Sequence, residues 1–335
     1  MIYFLLITIL SLHAFAIDSK ARHPSAIIIA VLIAVIYALR DISVGNDTFS
    51  YWDYHYNLHR PSIINYHKHY EPIYHLLYKS FSNFRIVQFT IFFLNFYFLL
   101  NICKTAKTYL SMIIFLTFLG YLNILTDQTR QIFALTVLGY FYSINSRTKN
   151  IKKTGTILIH YSNLLLIGFE FLFRKIIRRI SVYIHLTILL VSVLLGLRNF
   201  WYDFTFNILS TLAPETSYLN QKFYTIYTDG GNGLIFFRFI FGILFLIIFS
   251  NNNHKNWYNL MTLGLVLQIS SNGFMPIERI GNGFFFLSIL LLFQENFSYQ
   301  FRNLKHNIIY LLAFVYFIAL NVFDLEKHGS VPWIF

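Results

Sequence analysis

The amino-acid sequence predicts an all-α, polytopic membrane protein, and two of its properties support that prediction. Of its 335 residues, 56% are hydrophobic and only 12% are charged, a composition too apolar for ordinary soluble domains. Apolar stretches long enough to cross or nearly cross a bilayer recur along the chain. In lipid such stretches must be helices, because every backbone polar group needs a partner within the segment.

Ten apolar stretches are predicted to span the membrane and to form one integral membrane domain, 1–335. The predicted spans are 2–17, 24–39, 85–102, 109–125, 131–144, 181–197, 233–249, 257–274, 280–293 and 307–323. The first has neither the positively charged start nor the small-residue cleavage site of a signal peptide, so we interpret it as a helix. An eleventh apolar segment, 156–173, is ambiguous.

Basic residues set the predicted orientation, because Lys and Arg favour the cytoplasmic side of a membrane. Basic residues follow the first, third and fifth spans: Lys20, Arg22, Lys104, Lys107, Arg147, Lys149, Lys152 and Lys153. If segment 156–173 crossed the membrane, the basic cluster at 174–179 would lie outside. We therefore favour a re-entrant segment surrounded by protein. Both termini and two long loops, 40–84 and 198–232, are then outside.

The first outer loop begins with a stretch rich in polar and aromatic side chains, RDISVGNDTFSYWDYHYN, at 40–57. An interfacial helix explains the aromatic residues, such as Tyr51, because Tyr and Trp favour the headgroup region. It explains Arg40 and Asp47 less well, so both are candidate site residues. The second outer loop is also aromatic. Its rings suit sugar stacking, although an ordinary interfacial loop has the same composition.

Arginine recurs at the outer ends of the predicted spans, as Arg40, Arg130, Arg238 and Arg279. A guanidinium offers a fixed fork of donors that suits a phosphate, so we predict that these four residues bind a diphosphate. Arg238 lies within an apolar run, where a cation indicates function unless it snorkels to the surface. The other three have acidic neighbours in sequence, and local ion pairs are the alternative for them.

Three residues are candidates for the general base: Asp47, Glu71 and His160. The carboxylates can take a proton from a sugar hydroxyl or orient it. Glu71 precedes Pro72, so the alternative for Glu71 is simply the start of a helix. His160 lies in segment 156–173, where a lone histidine is usually structural but at the tip of a re-entrant segment can contact substrate. The sequence leaves the choice among the three open.

The sequence contains no pairing of His and carboxylate residues with metal-site spacing, no glycine-rich nucleotide loop and no nucleophile elbow. We therefore predict a reaction that needs no metal and no other cofactor. The net charge of +12 is interpreted as orienting the chain in a membrane rather than as binding nucleic acid. The single cysteine, Cys103, cannot form an intrachain disulfide.

Taken together, these motifs resemble the EpsG family of polysaccharide polymerases, relatives of the Wzy O-antigen polymerases in the GT-C class of membrane glycosyltransferases. The matching stretches occur in the family's order: LRDISVGNDTFSYWDYHY, YEPIYHLL, TRQIFAL, IHYSNLLLIGF and ERIGNGFFFLSILLL. Asn46 stands where a small hydroxyl residue is more usual. The matching positions are Arg40, Gly45, Asp47, Tyr51, Glu71, Pro72, Arg130, Gln131, His160 and Arg279. Among them we expect Tyr51 and Gln131 to bind substrate.

The resemblance implies a glycan transfer between two lipid-linked substrates. The donor would be a glycan on undecaprenyl diphosphate, and the acceptor a sugar hydroxyl of another lipid-linked repeat unit, at the outer face of the bacterial cytoplasmic membrane. A flippase and a chain-length regulator are the partners implied. Two alternatives remain: a transporter of lipid-linked sugars, which would need polar groups on both sides of its path, and a single-addition glycosyltransferase, which would share nearly every residue named above.

Overall fold

The computed structural model describes residues 22–40, 48–60, 71–102, 112, 128–144, 148–175, 180–212, 231–250, 256–296, 304, 307–308 and 310–316. Across these ranges the regular secondary structure is helical and no strand occurs, which confirms the all-α prediction. The chain divides into two compact units, Met1–Ile167 with Phe293–Phe335, and Gly168–Leu292. Such units also occur within one membrane domain, so the single domain 1–335 stays a prediction.

The described part of the first unit is built around one long apolar helix, α4. Its helices are α1 (Arg22–Ala38), α2 (Thr48–Leu58), α3 (Pro72–Ser80), α4 (Phe84–Ile102), α5 (Thr129–Ser143) and α6 (Lys149–Gly155), followed by the 3-10 turn Thr156–Leu158. α4 packs against α1 and α5, and the short helices α2 and α3 contact each other and α4. Helices α2 and α3 both lie within the first predicted outer loop.

The second unit is organised around α11. Its helices are α8 (Val182–Leu197), α9 (Phe200–Leu212), α10 (Gly231–Ile248), α11 (Asn256–Ser271) and α12 (Met275–Asn296), and α7 (Ser162–Lys175) continues into it from the first unit. α11 contacts α8, α9 and α10. Two asparagines with left-handed backbone, Asn199 and Asn272, end α8 and α11. Their side chains are hydrogen-bonded to each other at 2.6 Å.

The ten predicted spans are not all matched by helices long and apolar enough to cross a bilayer. Within the described ranges α4 alone meets both criteria, and α8 with α9 does so as a pair bent by 61°. Three further apolar helices are shorter, at Pro24–Ala38, Ser162–Phe173 and Asn232–Ile248. The predicted span 2–17, the span 109–125 apart from Met112, and residues 309 and 317–323 of the last span lie outside the described residues.

The ambiguous segment 156–173 is not one continuous helix. The 3-10 turn ends at Leu158, and α7 begins only at Ser162. α7 has 14 residues, which gives a length of about 21 Å, short of the roughly 30 Å of hydrocarbon. The fully buried Asn163 donates its amide to the carbonyl of Ala134 at 3.1 Å, which holds the break against α5. The re-entrant path stays a prediction, and a chain that turns back within the membrane needs such a break between two short helices.

Candidate functional site

Three residues that are far apart in sequence form a charged cluster in the first unit. Arg130 Nη1 donates to Glu71 Oε2 at 2.6 Å, and His160 Nε2 lies 3.8 Å from Glu71 Oε1. Glu71 is the most buried of the three, with 7% of its side chain exposed against 22% for Arg130 and 23% for His160. The cluster is therefore open on the sides of Arg130 and His160, where a substrate can reach it.

Glu71 occupies the N-cap position of α3, with Pro72 as the first helical residue. Its side chain makes no capping hydrogen bond to the helix. The carboxylate instead faces Arg130 and His160, so helix capping does not account for this residue. Pro72 accounts for the start of the helix, because its fixed φ suits the first turn. It does not account for the position of the Glu71 carboxylate.

The surroundings of His160 define which ring nitrogen carries the proton. The backbone N–H of Ser162 donates to His160 Nδ1 at 3.2 Å, and the Ser162 hydroxyl lies 2.8 Å from the same atom. A nitrogen that accepts a backbone N–H has no proton of its own, so in neutral His160 the proton is on Nε2. That atom lies 3.8 Å from Glu71 Oε1, which is longer than a hydrogen bond, so neutral His160 presents an N–H on the side of the carboxylate without donating to it directly.

Two tyrosine residues, Tyr51 and Tyr74, border the charged cluster. The Arg130 guanidinium carbon lies 5.5 Å from the centre of the Tyr51 ring, and Nε lies 3.5 Å from the Tyr51 hydroxyl. Tyr74 is fully buried and its hydroxyl donates to the carbonyl of Thr129 at 3.5 Å. Burial raises the pKa of Tyr74, so this hydroxyl stays protonated. Buried rings exclude water from this side of the cluster, and the lower local dielectric strengthens its electrostatic interactions.

The first turn of α5 adds partial positive charge to the same place. Arg130 and the buried Gln131 lie in this turn, and the N-terminus of a helix favours an anion. The N-cap residue Gln128 makes no side-chain capping bond. The first turn of α5 and the guanidinium together are suited to a phosphate group. The substrate-binding role of Gln131 stays a prediction.

Arg40 lies in a different part of the first unit. It is 8% exposed, its Nη2 donates to the Thr48 hydroxyl at 2.8 Å, and its guanidinium carbon lies 5.1 Å from the centre of the Phe92 ring. Arg40 lines a cavity of about 810 Å³ between the end of α1, the helix α2 and the start of α4. Arg40 therefore lines a cavity whose lining does not include Glu71, Arg130 or His160.

The second unit has a polar network around Arg238. The buried guanidinium donates to a Glu278 carboxylate oxygen and, at 2.8 Å, to the carbonyl of Gln268. The Gln268 amide in turn donates to Asn282 at 2.7 Å. Arg238 therefore does not snorkel to a surface, because its charge is neutralised inside the unit. Arg279 follows Glu278 on α12 and is partly exposed.

The structure thus brings together four of the predicted site residues, namely Tyr51, Glu71, Arg130 and His160. Asp47 lies outside the described residues. The sequence did not predict two features of the structure. They are the pairing of Glu278 with Arg238 and the cavity beside Arg40. Among the described residues no group of three His, Cys, Asp or Glu side chains is placed to hold a metal ion, and metal independence stays a prediction.

A protein-family model covers most of the chain. The model of the EpsG family matches residues 25–334, which contain every predicted site residue. The chain belongs to the EpsG family. Membership places it among the glycosyltransferase-like enzymes of polysaccharide biosynthesis, a membrane-associated family. No curated protein and no solved structure matches the chain significantly.

Proposed function

We propose that the chain is a polysaccharide polymerase acting at the outer face of the bacterial cytoplasmic membrane. It transfers a glycan from undecaprenyl diphosphate to a sugar hydroxyl of another lipid-linked repeat unit. The observation that carries the proposal is the convergence of Glu71, Arg130 and His160, which come from three separate family motifs. Together they offer a proton acceptor, a cation for a leaving phosphate and a hydrogen-bond donor.

In the proposed reaction Glu71 accepts the proton of the acceptor hydroxyl as its oxygen attacks the anomeric carbon of the donor sugar. The bond from that carbon to the diphosphate oxygen breaks, and the diphosphate leaves with the electron pair. His160 donates from Nε2 to the hydroxyl and so orients it. Of the two described candidates for the base, Glu71 is favoured because the accessible nitrogen of neutral His160 already carries a proton.

Arg130 is placed to stabilise the charge that develops on the leaving diphosphate. Its guanidinium is held by Glu71 on one side and lies over the Tyr51 ring, and 22% of the side chain remains exposed. The first turn of α5 adds its dipole to that charge. Donors fixed before the reaction stabilise a developing anion without reorganisation, which is commonly a large part of catalysis. A metal ion is not required for this step.

The other three predicted diphosphate ligands have different surroundings. Arg238 contacts Glu278 and the carbonyl of Gln268, so its charge is already balanced. Arg40 lines the cavity described above. The diphosphate role of these two residues and of Arg279 remains part of the proposal, and Arg130 has the strongest geometric support.

The proposal predicts a defined change in surface glycan when the protein is absent. In cells that lack the chain, we expect the glycan ladder on a gel to collapse to a single repeat unit. Complementation with the wild-type chain should restore the ladder. If polymer length stays unchanged while one side sugar disappears, the chain is a single-addition glycosyltransferase instead. If lipid-linked repeat units accumulate on the inner face, the chain is a transporter.

Replacement of Arg130 by Lys is expected to shorten the ladder strongly at normal expression. A lysine has one point charge and cannot contact Glu71 and a phosphate with the fixed geometry of a guanidinium. Arg198, which is exposed, provides the matched control, and Arg198→Lys should leave the ladder unchanged. Full polymer synthesis by all four variants, Arg40→Lys, Arg130→Lys, Arg238→Lys and Arg279→Lys, would refute the assignment of diphosphate ligands.

A further inference from the structure

Apart from Arg40, the proposed reaction does not use the residues that line the cavity beside it. The cavity lies in the first unit between the end of α1, one face of α2 and the first turns of α4, and has a volume of about 810 Å³. That volume is in the range of small-molecule sites, roughly 300–1,000 Å³. Polar side chains of its wall include Arg40, Thr48 and His55, each less than 9% exposed. Buried polar side chains therefore form part of the cavity wall.

An unsatisfied amide lines the cavity. Gln88 is 2% exposed, and within the described part of the chain neither its amide nitrogen nor its amide oxygen has a hydrogen-bond partner. Leaving such a buried group unpaired costs free energy, because it loses its hydrogen bonds to water. An amide offers both a donor and an acceptor, which matches a hydroxyl group that can accept and donate in return. A ligand with several hydroxyls would satisfy Gln88.

Aromatic rings and cations complete the lining. Trp52 and Tyr56, one turn apart on α2, both border the cavity, and their rings stack with centres 5.3 Å apart. Flat rings with polar edges are surfaces on which a sugar can pack. Arg40 and the exposed Arg85 add two positive charges to the wall. Burial lowers the pKa of His55, so this residue contributes a neutral ring.

The helix α2 contributes side chains to the cavity and to the charged cluster. Thr48, Trp52, His55 and Tyr56 line the cavity, and their spacing of three and four residues places them on one face. Tyr51 lies at the edge of that face, is not part of the cavity lining and contacts Arg130. One helix thus borders both the cavity and the charged cluster. A polymerase must hold two lipid-linked substrates, and α2 borders two places for them.

We propose that this cavity is a subsite for an anionic sugar, held by Trp52 and Gln88 at the ring and its hydroxyls and by Arg40 and Arg85 at the acidic group. The inference rests on the proposed function, and it moves Arg40 from the donor diphosphate to the lipid-linked substrate that is not held at Arg130. The acidic group has two sources, a phosphate next to the first sugar of the lipid carrier or the carboxylate of a uronic acid within the glycan.

The test measures binding without turnover, using the full-length chain in lipid nanodiscs and saturation-transfer NMR. The probes are glucose 1-phosphate, glucuronic acid and the uncharged methyl glucoside. We expect at least one anionic probe to bind about tenfold more tightly than methyl glucoside. A preference for glucose 1-phosphate assigns the cavity to the lipid carrier, and a preference for glucuronic acid assigns it to the glycan.

Two variants connect this binding to the cavity. Gln88→Leu should weaken the preferred probe about tenfold, and Arg85→Gln should remove the preference for an anionic probe. Arg85 is exposed, so the second variant tests the proposal even if the first does not fold. Thr90→Val changes a partly exposed residue of the same helix, α4, that does not line the cavity, and should bind like wild type.

Two results would overturn the proposal. One is equal binding of the three probes to the wild-type chain. The other is binding that is unchanged by both Gln88→Leu and Arg85→Gln. Neither result bears on Glu71 and Arg130, whose role is tested by the glycan ladder. Conversely, specific binding of an anionic probe would stand even if changes at those two residues left the ladder intact.

Discussion

Replacement of Glu71 by Gln is expected to lower the rate of glycan transfer by about two to four orders of magnitude, the usual contribution of a general base. Glutamine has nearly the same shape, and its amide oxygen can still accept from Arg130. It cannot take up the proton of the acceptor hydroxyl. Transfer should be measured as incorporation of labelled repeat units into polymer by membranes that contain equal amounts of each variant.

The control for this change is Asp203→Asn, which neutralises an exposed carboxylate on α9. This variant should polymerise like wild type. The loss in Glu71→Gln must also be separated from misfolding. Because the pair of Glu71 and Arg130 is partly buried, its loss also lowers stability, so the thermal unfolding midpoint of each variant is measured beside transfer. A Glu71→Gln chain that incorporates at least half the wild-type label would show that Glu71 is not the base.

The residues of this cluster could be predicted from sequence, but their geometry could not. The polar motifs around Glu71, Arg130 and His160 were visible because they interrupt apolar or aromatic stretches. Glu71 and Arg130 are 59 positions apart, so their contact depends on how α3 packs near α5. The tautomer of His160 depends on one backbone N–H that follows the break before α7. No pattern of residue types specifies either feature.

The ends of two apolar helices were predicted to within two residues, because each helix contains a long hydrophobic run without a charged residue. The predicted span 24–39 corresponds to Arg22–Ala38, and 131–144 to Thr129–Ser143.

Charge pairing was harder to predict. Sequence adjacency suggested Glu278 as a partner for Arg279, yet successive residues on a helix do not face each other. Glu278 contacts Arg238, on a different helix and 40 positions away.

A second large effect is expected from Gly264→Ala in the second unit. A Cβ atom at Gly264 would lie 2.5 Å from the backbone nitrogen of Phe285 and 2.9 Å from the carbonyl oxygen of Gly281. Backbone atoms cannot rotate away, so α11 and α12 must move apart. We expect a loss of about 1–3 kcal/mol, the usual cost of overpacking. The readout is the thermal unfolding midpoint of the purified chain in detergent.

The sign of this effect distinguishes close packing from intrinsic helix preference. Alanine is the better helix former by about 1 kcal/mol, so helix preference alone would make Gly264→Ala stabilising. Gly168→Ala, on α7, is the matched control because a Cβ atom there meets nothing within 4 Å, and it should be neutral or stabilising. Equal shifts in the two variants would contradict the close approach of α11 and α12. A separation of these helices would also strain the bond from Gln268 to Asn282 beside Arg238, so Gly264→Ala should weaken the buried polar network as well.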